Sequence, residues 1–405
     1  MKKVASLFLI FILCLSQISA YAKKTNSDPL QLNCSSAVLM DACTGQVVYA
    51  KNPNKKAYPA SITKVLTVYL AAENCMPNEK ITAGKTAIDA VPKDSTNIAI
   101  DYGEVLTVEQ TANAAMLMSA NDASNVLAEH VAGDLESFYD MMNETAISFG
   151  AKNSHFVNAN GLPDPDHYTT ALDFAKITAG AVKSEAFMEY MGNVEYTIPP
   201  TNKKDEERNF VAKHRMMYME KYENLGVKGG KTGYTTQAKH TAVTYAEKDG
   251  REWVVVVLGA ESIGKQLEDT KKLLTYGYEE LSTITVSEKQ IGTKKKGNIT
   301  YIPEGEIEIY LTDGMTEADL TYEFNKKEVV VLDKEGNKLG TLPLTIQKAP
   351  SRQSNIAKTL LYIALWVFGI VLIYELWRRH KIKKNRRKRR MRKIREQMEQ
   401  EQLKK

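Results

Sequence analysis

Three short polar motifs occur in order along the chain, and each contributes side chains that could take part in acyl transfer. They are Ser61-Ile62-Thr63-Lys64, Ser119-Ala120-Asn121 and Lys231-Thr232-Gly233. A serine one helical turn before a lysine can act as a nucleophile beside its own base. The second motif adds a hydroxyl and an amide, and the third adds a cation next to a glycine that leaves space for a substrate backbone. We interpret the set as a serine acyl-transfer site.

Single motifs of this length also occur by chance, and the chain holds second copies of two of them. Ser262-Ile263-Gly264-Lys265 repeats the first pattern, and Ser95-Thr96-Asn97 repeats the second. The apolar run 65–72 after Ser61 predicts that this serine opens a buried helix. Ser262 instead follows an apolar strand, and its surroundings predict a loop or a helix cap.

The residue types suggest separate roles within the site. Lys64 must be neutral to accept the Ser61 proton, so burial and a neighbouring cation such as Lys231 have to lower its pKa. Ser119 can pass the proton to a leaving amine. Asn121 can hold both Lys64 and a substrate amide. These four residues, Ser61, Lys64, Ser119 and Asn121, are the candidate catalytic residues.

The third motif predicts where the substrate binds. Lys231, Thr232 and Tyr234 are the candidate substrate-binding residues, on a glycine-flanked strand that a substrate can approach at backbone distance. The backbone N–H groups of Ser61 and Tyr234 are the expected oxyanion hole. Taken alone, Lys231 would be interpreted as a surface lysine on an edge strand.

The elements that must position these motifs form an α+β pattern. An apolar hairpin at 36–50 precedes the helix that Ser61 opens, and helical patterns fill 107–132 and much of 134–195, with breaks at 119–122 and 158–170. Strand-like runs return at 228–235, 241–246 and 253–258, and a helix is predicted over 266–281. This order predicts an antiparallel sheet flanked by helices, with sheet halves far apart in sequence and a helical insert between them.

The 405 residues favour two or three domains. Residues 1–22 have the lysines, apolar run and A-x-A site of a signal peptide, with an uncleaved anchor as the alternative. We assign 29–281 to the catalytic domain. The short alternating runs of 283–348 predict a small all-β domain. Cys34, Cys43 and Cys75 remain after cleavage; their number and spacing predict neither a metal site nor a disulfide framework, although one pair could form.

Near the C-terminus, the apolar stretch 359–377 predicts a transmembrane helix, with a helix lying in the membrane interface as the alternative. Residues 378–405 carry 15 Lys/Arg against 3 Asp/Glu. Such a basic tail predicts a cytoplasmic location, with the catalytic domain outside, and contact with anionic lipids rather than nucleic acid. Without the tail and the leader lysines, the net charge changes from +5 to −9.

The motifs and their surroundings resemble the serine D-alanyl-D-alanine carboxypeptidases, the low-molecular-mass penicillin-binding proteins, from about Ser35 to Tyr278. The matching segments are Tyr58–Lys64, Ser119–Ala123, Asn160–Leu162, His167–Thr170 with Asp173, and Gly229–Thr235.

This resemblance implies a β-lactamase/transpeptidase-like fold and hydrolysis of the terminal D-Ala-D-Ala bond of peptidoglycan stem peptides, without a cofactor. It implies that Ser61 forms the acyl-enzyme, Lys64 accepts the proton, Ser119 is a third catalytic residue and Lys231 binds the substrate carboxylate. It also implies that β-lactam antibiotics bind, and it extends to the β domain.

Two positions depart from the family pattern. Many relatives have an arginine, which helps to hold the terminal carboxylate, where this chain has Gln266, and a glycine where it has Lys239. Both departures bear on substrate affinity more than on mechanism.

Two other functions share parts of this pattern. A class A β-lactamase has all three motifs but needs a glutamate in a loop that corresponds to 158–173, which holds none. A penicillin-sensing receptor would bind without turnover. A metalloprotease is not expected, because no two of the six histidines form H-E-x-x-H.

Overall fold

The computed structural model describes residues 28–312, 314–349 and 352–402, so the predicted signal peptide at 1–22 lies outside it. These residues divide into two compact units. The first comprises 28–286, 306–323 and 330–342, and the second comprises 287–305, 324–329 and 343–402.

The strands of the larger unit lie at both ends of its sequence. They are β1 (Ser36–Asp41), β2 (Val47–Lys51), β3 (Lys80–Thr82), β4 (Val105–Thr107), β5 (Glu195–Ile198), β6 (Arg208–Val211), β7 (Val227–Thr235), β8 (Lys239–Lys248) and β9 (Arg251–Ala260). Five of them form an antiparallel sheet in the order β2-β1-β9-β8-β7. The predicted sheet is therefore confirmed, with the β1–β2 hairpin joined through β1 to β9 across about 200 intervening residues.

The helices of the larger unit occupy the segment between β2 and β7 and the segment after β9. They are α1 (Lys64–Asn74), α2 (Lys85–Asp89), α3 (Val108–Asn113), α4 (Asn121–Ala132), α5 (Leu135–Ser148), α6 (Ala171–Ala181), α7 (Glu185–Met191) and α8 (Ile263–Glu279). One face of the sheet and the insert helices share a core that includes Phe138, Phe174 and Phe187. A second core, around Trp253, lies between the sheet and α8.

Ser262 caps α8, since its hydroxyl accepts a hydrogen bond from the Lys265 amide at 3.2 Å. This geometry agrees with the interpretation of the second S-x-x-K copy as a helix cap. The helix predicted from residue 266 begins three residues earlier because of this cap.

The region after α8 contains the short strands expected of a small all-β domain. They are β10 (Ser282–Ser287), β11 (Lys294–Lys296), β12 (Ile299–Pro303), β13 (Glu306–Leu311), β14 (Thr321–Phe324), β15 (Glu328–Leu332) and β16 (Lys338–Lys348), with α9 (Glu288–Ile291) between the first two.

A single long helix, α10 (Arg352–Gln402), ends the described chain. By length and composition its stretch Ile356–Met398 can cross a membrane, and its large apolar side chains, such as Trp366 and Phe368, are exposed. The apolar C-terminal helix expected from residues 359–377 is therefore present, and it is a candidate membrane anchor.

Candidate active site

Ser61 lies in a 3₁₀ turn, Ala60–Thr63, that leads directly into α1. Ala60 has φ of +52°, an unusual conformation for a residue with a side chain. Gly161 covers this turn so closely that a Cβ added to it would lie 1.9 Å from the Ala60 carbonyl oxygen. The Thr63 hydroxyl and the buried ring of His167 form a hydrogen bond, with 2.9 Å between Thr63 Oγ1 and His167 Nε2. The loop 158–170 thus holds the serine turn from one side.

Lys64 is fully buried, and its ammonium nitrogen lies at the centre of the site. Lys64 Nζ donates to Asn160 O at 2.5 Å, to Asn121 Oδ1 at 2.7 Å and to Ser61 Oγ at 3.2 Å. Burial lowers the pKa of Lys64 well below that of an ordinary lysine, and the charges of Lys231 and Lys213 lower it further. Three donated hydrogen bonds describe the protonated amine. Burial favours loss of one of these protons, after which the neutral nitrogen can accept the hydrogen of the Ser61 hydroxyl at the same 3.2 Å contact.

The second motif follows a distorted helix end. A π-helical turn at Ala114–Met118 ends at Ser119, whose φ of +63° turns the chain before α4 begins at Asn121. The backbone N–H of Asn121 donates a hydrogen bond to Thr96 O at 2.8 Å. Asn121 is thereby fixed with its side chain toward Lys64, while Ser119 faces the cleft.

The third motif lies on β7, the edge strand beside the serine turn. A Cβ on Gly233 would lie 2.7 Å from the Ser61 amide nitrogen and 2.6 Å from Thr241 Oγ1. Thr241 Oγ1 in turn donates to Pro59 O at 2.9 Å, which ties β8 to the same turn. Glycine is required at 233 because a side chain there would separate the strand from the Ser61 turn.

Lys231 lies on this strand with its side chain buried, and only 1% of the residue's surface is exposed. Its Nζ donates a hydrogen bond to Thr232 O at 3.0 Å. Burial, followed by the charge of Lys213, lowers the pKa of Lys231 to about 7. Behind it, His214 bonds Thr244 Oγ1 at 2.7 Å, and burial lowers the pKa of His214 to about 4. The structure thus brings together two lysines whose charged forms are both destabilised.

Comparison with known proteins identifies this arrangement. A family model described as D-alanyl-D-alanine carboxypeptidase matches residues 22–262. The chain is 31% identical to the D-alanyl-D-alanine carboxypeptidase DacF of Bacillus subtilis, over 85% of this chain and 90% of that protein. It is 28% identical to DacC of Escherichia coli, over 77% of this chain and 82% of that protein.

Solved structures show the same likeness. Penicillin binding protein 5 from Haemophilus influenzae matches with a TM-score of 0.64 and 25% identity, over 78% of this chain and 97% of that one. A mutant of the Streptomyces K15 DD-transpeptidase matches with a TM-score of 0.57 and 26% identity, over 61% and 98%. The chain belongs to the D-alanyl-D-alanine carboxypeptidase family, peptidase family S11.

The cleft beside Ser61 has a volume of about 480 Å³. Of the predicted site residues, Ser61, Ser119, Thr232 and Tyr234 line it, whereas Lys64, Asn121 and Lys231 lie buried beneath it. Tyr234 is 60% exposed, and its ring lies 4.6 Å from that of His240. All seven predicted site residues therefore gather around one cleft.

The two positions that depart from the family pattern also lie near the cleft. Gln266 lines it, but its amide is occupied, because Nε2 donates to Thr241 O at 3.0 Å. Lys239 starts β8 with φ of +56° and forms an ion pair with Glu261 at 2.5 Å. A glycine would adopt that φ more readily.

Two further residues contribute to the site without having been predicted to do so. Asn160 supplies its backbone carbonyl to Lys64, and its side chain is fixed by bonds to Asn125 and Leu162. Lys213 reaches the cleft from the segment after β6. This strand pairs with β5 in a hairpin that the sequence did not predict. Asn160 lies in the Asn160–Leu162 segment that matches the family pattern, whereas Lys213 belongs to no motif in the sequence.

Proposed function

We propose that this carboxypeptidase removes the terminal D-alanine of peptidoglycan stem peptides through an acyl-enzyme on Ser61. The observation that carries the assignment is the 3.2 Å contact between Ser61 Oγ and the buried Lys64 amine. An amine with a lowered pKa can accept the serine proton at neutral pH.

In the acylation step, Ser61 Oγ attacks the carbonyl carbon of the penultimate D-alanine while its proton moves to Lys64 Nζ. Collapse of the tetrahedral intermediate breaks the C–N bond, and a proton delivered through Ser119 Oγ lets D-alanine leave as the free amine. Water then opens the ester with Lys64 again as base. The nearness of β7 to the Ser61 amide supports an oxyanion hole made by the N–H groups of Ser61 and Tyr234.

We assign the terminal carboxylate of the substrate to Lys231, Thr232 and Lys213. Gln266 is a poor substitute for a carboxylate-binding arginine, because it carries no charge and its amide already donates to the backbone. Lys213 lines the same cleft, and its pKa is lowered by burial with no acidic group raising it. Its side chain therefore supplies a second cation, and its charge also lowers the pKa of Lys64 and Lys231.

A β-lactamase is the competing function, and the deacylating water distinguishes it. Residues 158–173 hold no glutamate that could activate water after a β-lactam has acylated Ser61. A general base is worth about 10²–10⁴ in rate. In the acyl-peptide, departure of D-alanine leaves room for water beside Lys64, whereas the leaving group of a β-lactam stays tethered and blocks that approach. The acyl-penicillin is therefore expected to outlast the acyl-peptide by at least about that factor.

Mass spectrometry of the protein after incubation with penicillin tests the assignment. The wild type and Ser262→Ala should each gain one covalent penicillin, and Ser61→Ala should gain none. A peptide ending in D-Ala-D-Ala should release D-alanine with the first two proteins only. Labelling of Ser61→Ala would overturn the nucleophile, and rapid penicillin turnover without D-alanine release would favour the β-lactamase.

For the membrane, we propose that α10 crosses once, with the catalytic unit outside and the basic residues 378–405 in the cytoplasm in contact with anionic lipid. The exposed apolar side chains of Ile356–Tyr374 support insertion, and the excess of lysine and arginine that follows supports this orientation.

A further inference from the structure

Cys75, Glu79 and His130 form a cluster of potential metal ligands in the larger unit. The thiol sulfur, a carboxylate oxygen and a ring nitrogen all lie within 4.8 Å of one another, and His130 Nε2 is 2.9 Å from Glu79 Oε1. All three residues are half-buried. None of them lines the active-site cleft. Solvent can therefore reach a cluster for which the acyl-transfer mechanism has no use.

The backbone holds the cluster in place. Cys75 ends α1, and its amide donates to Ala71 O at 3.0 Å. The turn that follows is closed by bonds between Met76 and Glu79, one of which runs from the Met76 amide to Glu79 Oε2 at 3.2 Å. Oε2 is thus occupied by the backbone, and Oε1 faces His130.

We propose that Cys75, Glu79 and His130 bind a Zn²⁺ ion. Zinc accepts thiolate, imidazole and carboxylate together, and with bonds of about 2.0–2.3 Å its tetrahedral ligands lie about 3.3–3.6 Å apart. The hydrogen-bonded pair would open by about 0.5 Å, and no other pair would have to close by more than about 1.5 Å, which rotations of half-exposed side chains can supply. Binding displaces the thiol proton, and the thiolate and carboxylate together balance the charge of the ion.

The position of the cluster indicates a stabilising role. α1 begins at Lys64 and α4 begins at Asn121, and these two residues are joined by a 2.7 Å hydrogen bond in the active site. The same two helices end at Cys75 and at Ala132, beside His130. A metal ion would therefore join, at the far ends, the two helices whose first residues hold the catalytic amine.

Without a metal, the same residues would form only a His130–Glu79 pair with a cysteine nearby. The two possibilities differ in their dependence on the thiol, because a hydrogen bond between His130 and Glu79 makes no use of Cys75. Cys43 provides a matched control, since it is an exposed free cysteine elsewhere on the same unit.

The test measures Zn²⁺ binding to the full chain in detergent, by competition with a chromophoric chelator, together with thermal unfolding. The wild type and Cys43→Ser should bind one equivalent and gain about 5 °C in Tm when free Zn²⁺ is 100-fold above its Kd. Cys75→Ser and His130→Gln should lose both effects. Co²⁺ should give a thiolate charge-transfer band in the wild type and in Cys43→Ser. This band should be absent from Cys75→Ser.

Acylation by penicillin serves as the folding control for every variant, and it also separates this proposal from the proposed catalytic function. Acylation is expected to persist in Cys75→Ser and His130→Gln. Equal Zn²⁺ uptake by Cys43→Ser and Cys75→Ser, or a wild type that binds no Zn²⁺, would overturn the metal site while leaving the Ser61 assignment intact.

Discussion

Burial of Lys231 should lower the free energy of unfolding by a measurable amount, and the substitution Lys231→Met tests this. The lysine has a pKa of about 7 in the folded protein against 10.5 for a lysine in water. Between these two values the unfolded chain binds more protons than the folded one, so wild-type stability rises with pH. Methionine has a similar apolar stem and no charge, so the variant lacks this dependence.

The size of the effect follows from the two pKa values, since each unit of pKa corresponds to 1.36 kcal/mol. Lys231→Met should be more stable than the wild type by about 4 kcal/mol at pH 7, about 2 kcal/mol at pH 9 and less than about 0.5 kcal/mol at pH 10.5. Any difference in packing adds an offset that does not vary with pH. Removal of the Lys231 charge also raises the pKa of Lys64 in the folded protein, and this further increases the stability of the variant relative to the wild type.

Urea unfolding of the full chain in detergent, followed by tryptophan fluorescence at several pH values, measures these differences. Trp253 lies on β9 and is fully buried in the second core, so its emission reports the unfolding of the larger unit. Lys265→Met is the control, because that lysine is exposed at the start of α8 and should give a difference that does not change with pH. A Lys231→Met difference that is equally flat from pH 7 to pH 10.5 would refute the reasoning.

Three further predictions concern the cleft and the membrane. Gly233→Ala should slow penicillin acylation by about 10²-fold, because its Cβ would push β7 away from the Ser61 amide, whereas Gly264→Ala, with no contact closer than 3.8 Å, should not. Lys213→Gln should move both limbs of the pH–rate profile of acylation to higher pH, because loss of a positive charge raises the pKa of both Lys64 and Lys231; an unshifted profile would contradict its role. Protease added to spheroplasts should remove the catalytic unit and spare a tag placed after Lys405, and digestion of the tag would show that the orientation is reversed.

Much of the site follows from local sequence, because its residues lie on elements that the sequence predicts. The spacing of Ser61 and Lys64 places them on one helix face wherever that helix lies, and the apolar run after them predicts a buried helix. The glycines around Lys231 likewise predict a strand that can be approached closely. The antiparallel sheet follows from the order of the elements, and the apolar C-terminal helix follows from composition alone.

The remaining features depend on distances between residues that are far apart in the chain, and only packing sets those distances. Asn160 supplies a carbonyl to Lys64 across 96 residues, and Gly233 must be small because its strand lies against the Ser61 turn. Lys213 reaches the cleft through a hairpin whose sequence has no strong β pattern. The spacing of the cysteines predicts no metal site, because His130 joins Cys75 and Glu79 only when α4 packs beside α1. The sequence therefore determined which groups are present and which elements hold them, whereas the tertiary structure decided which groups meet and how far burial shifts their protonation.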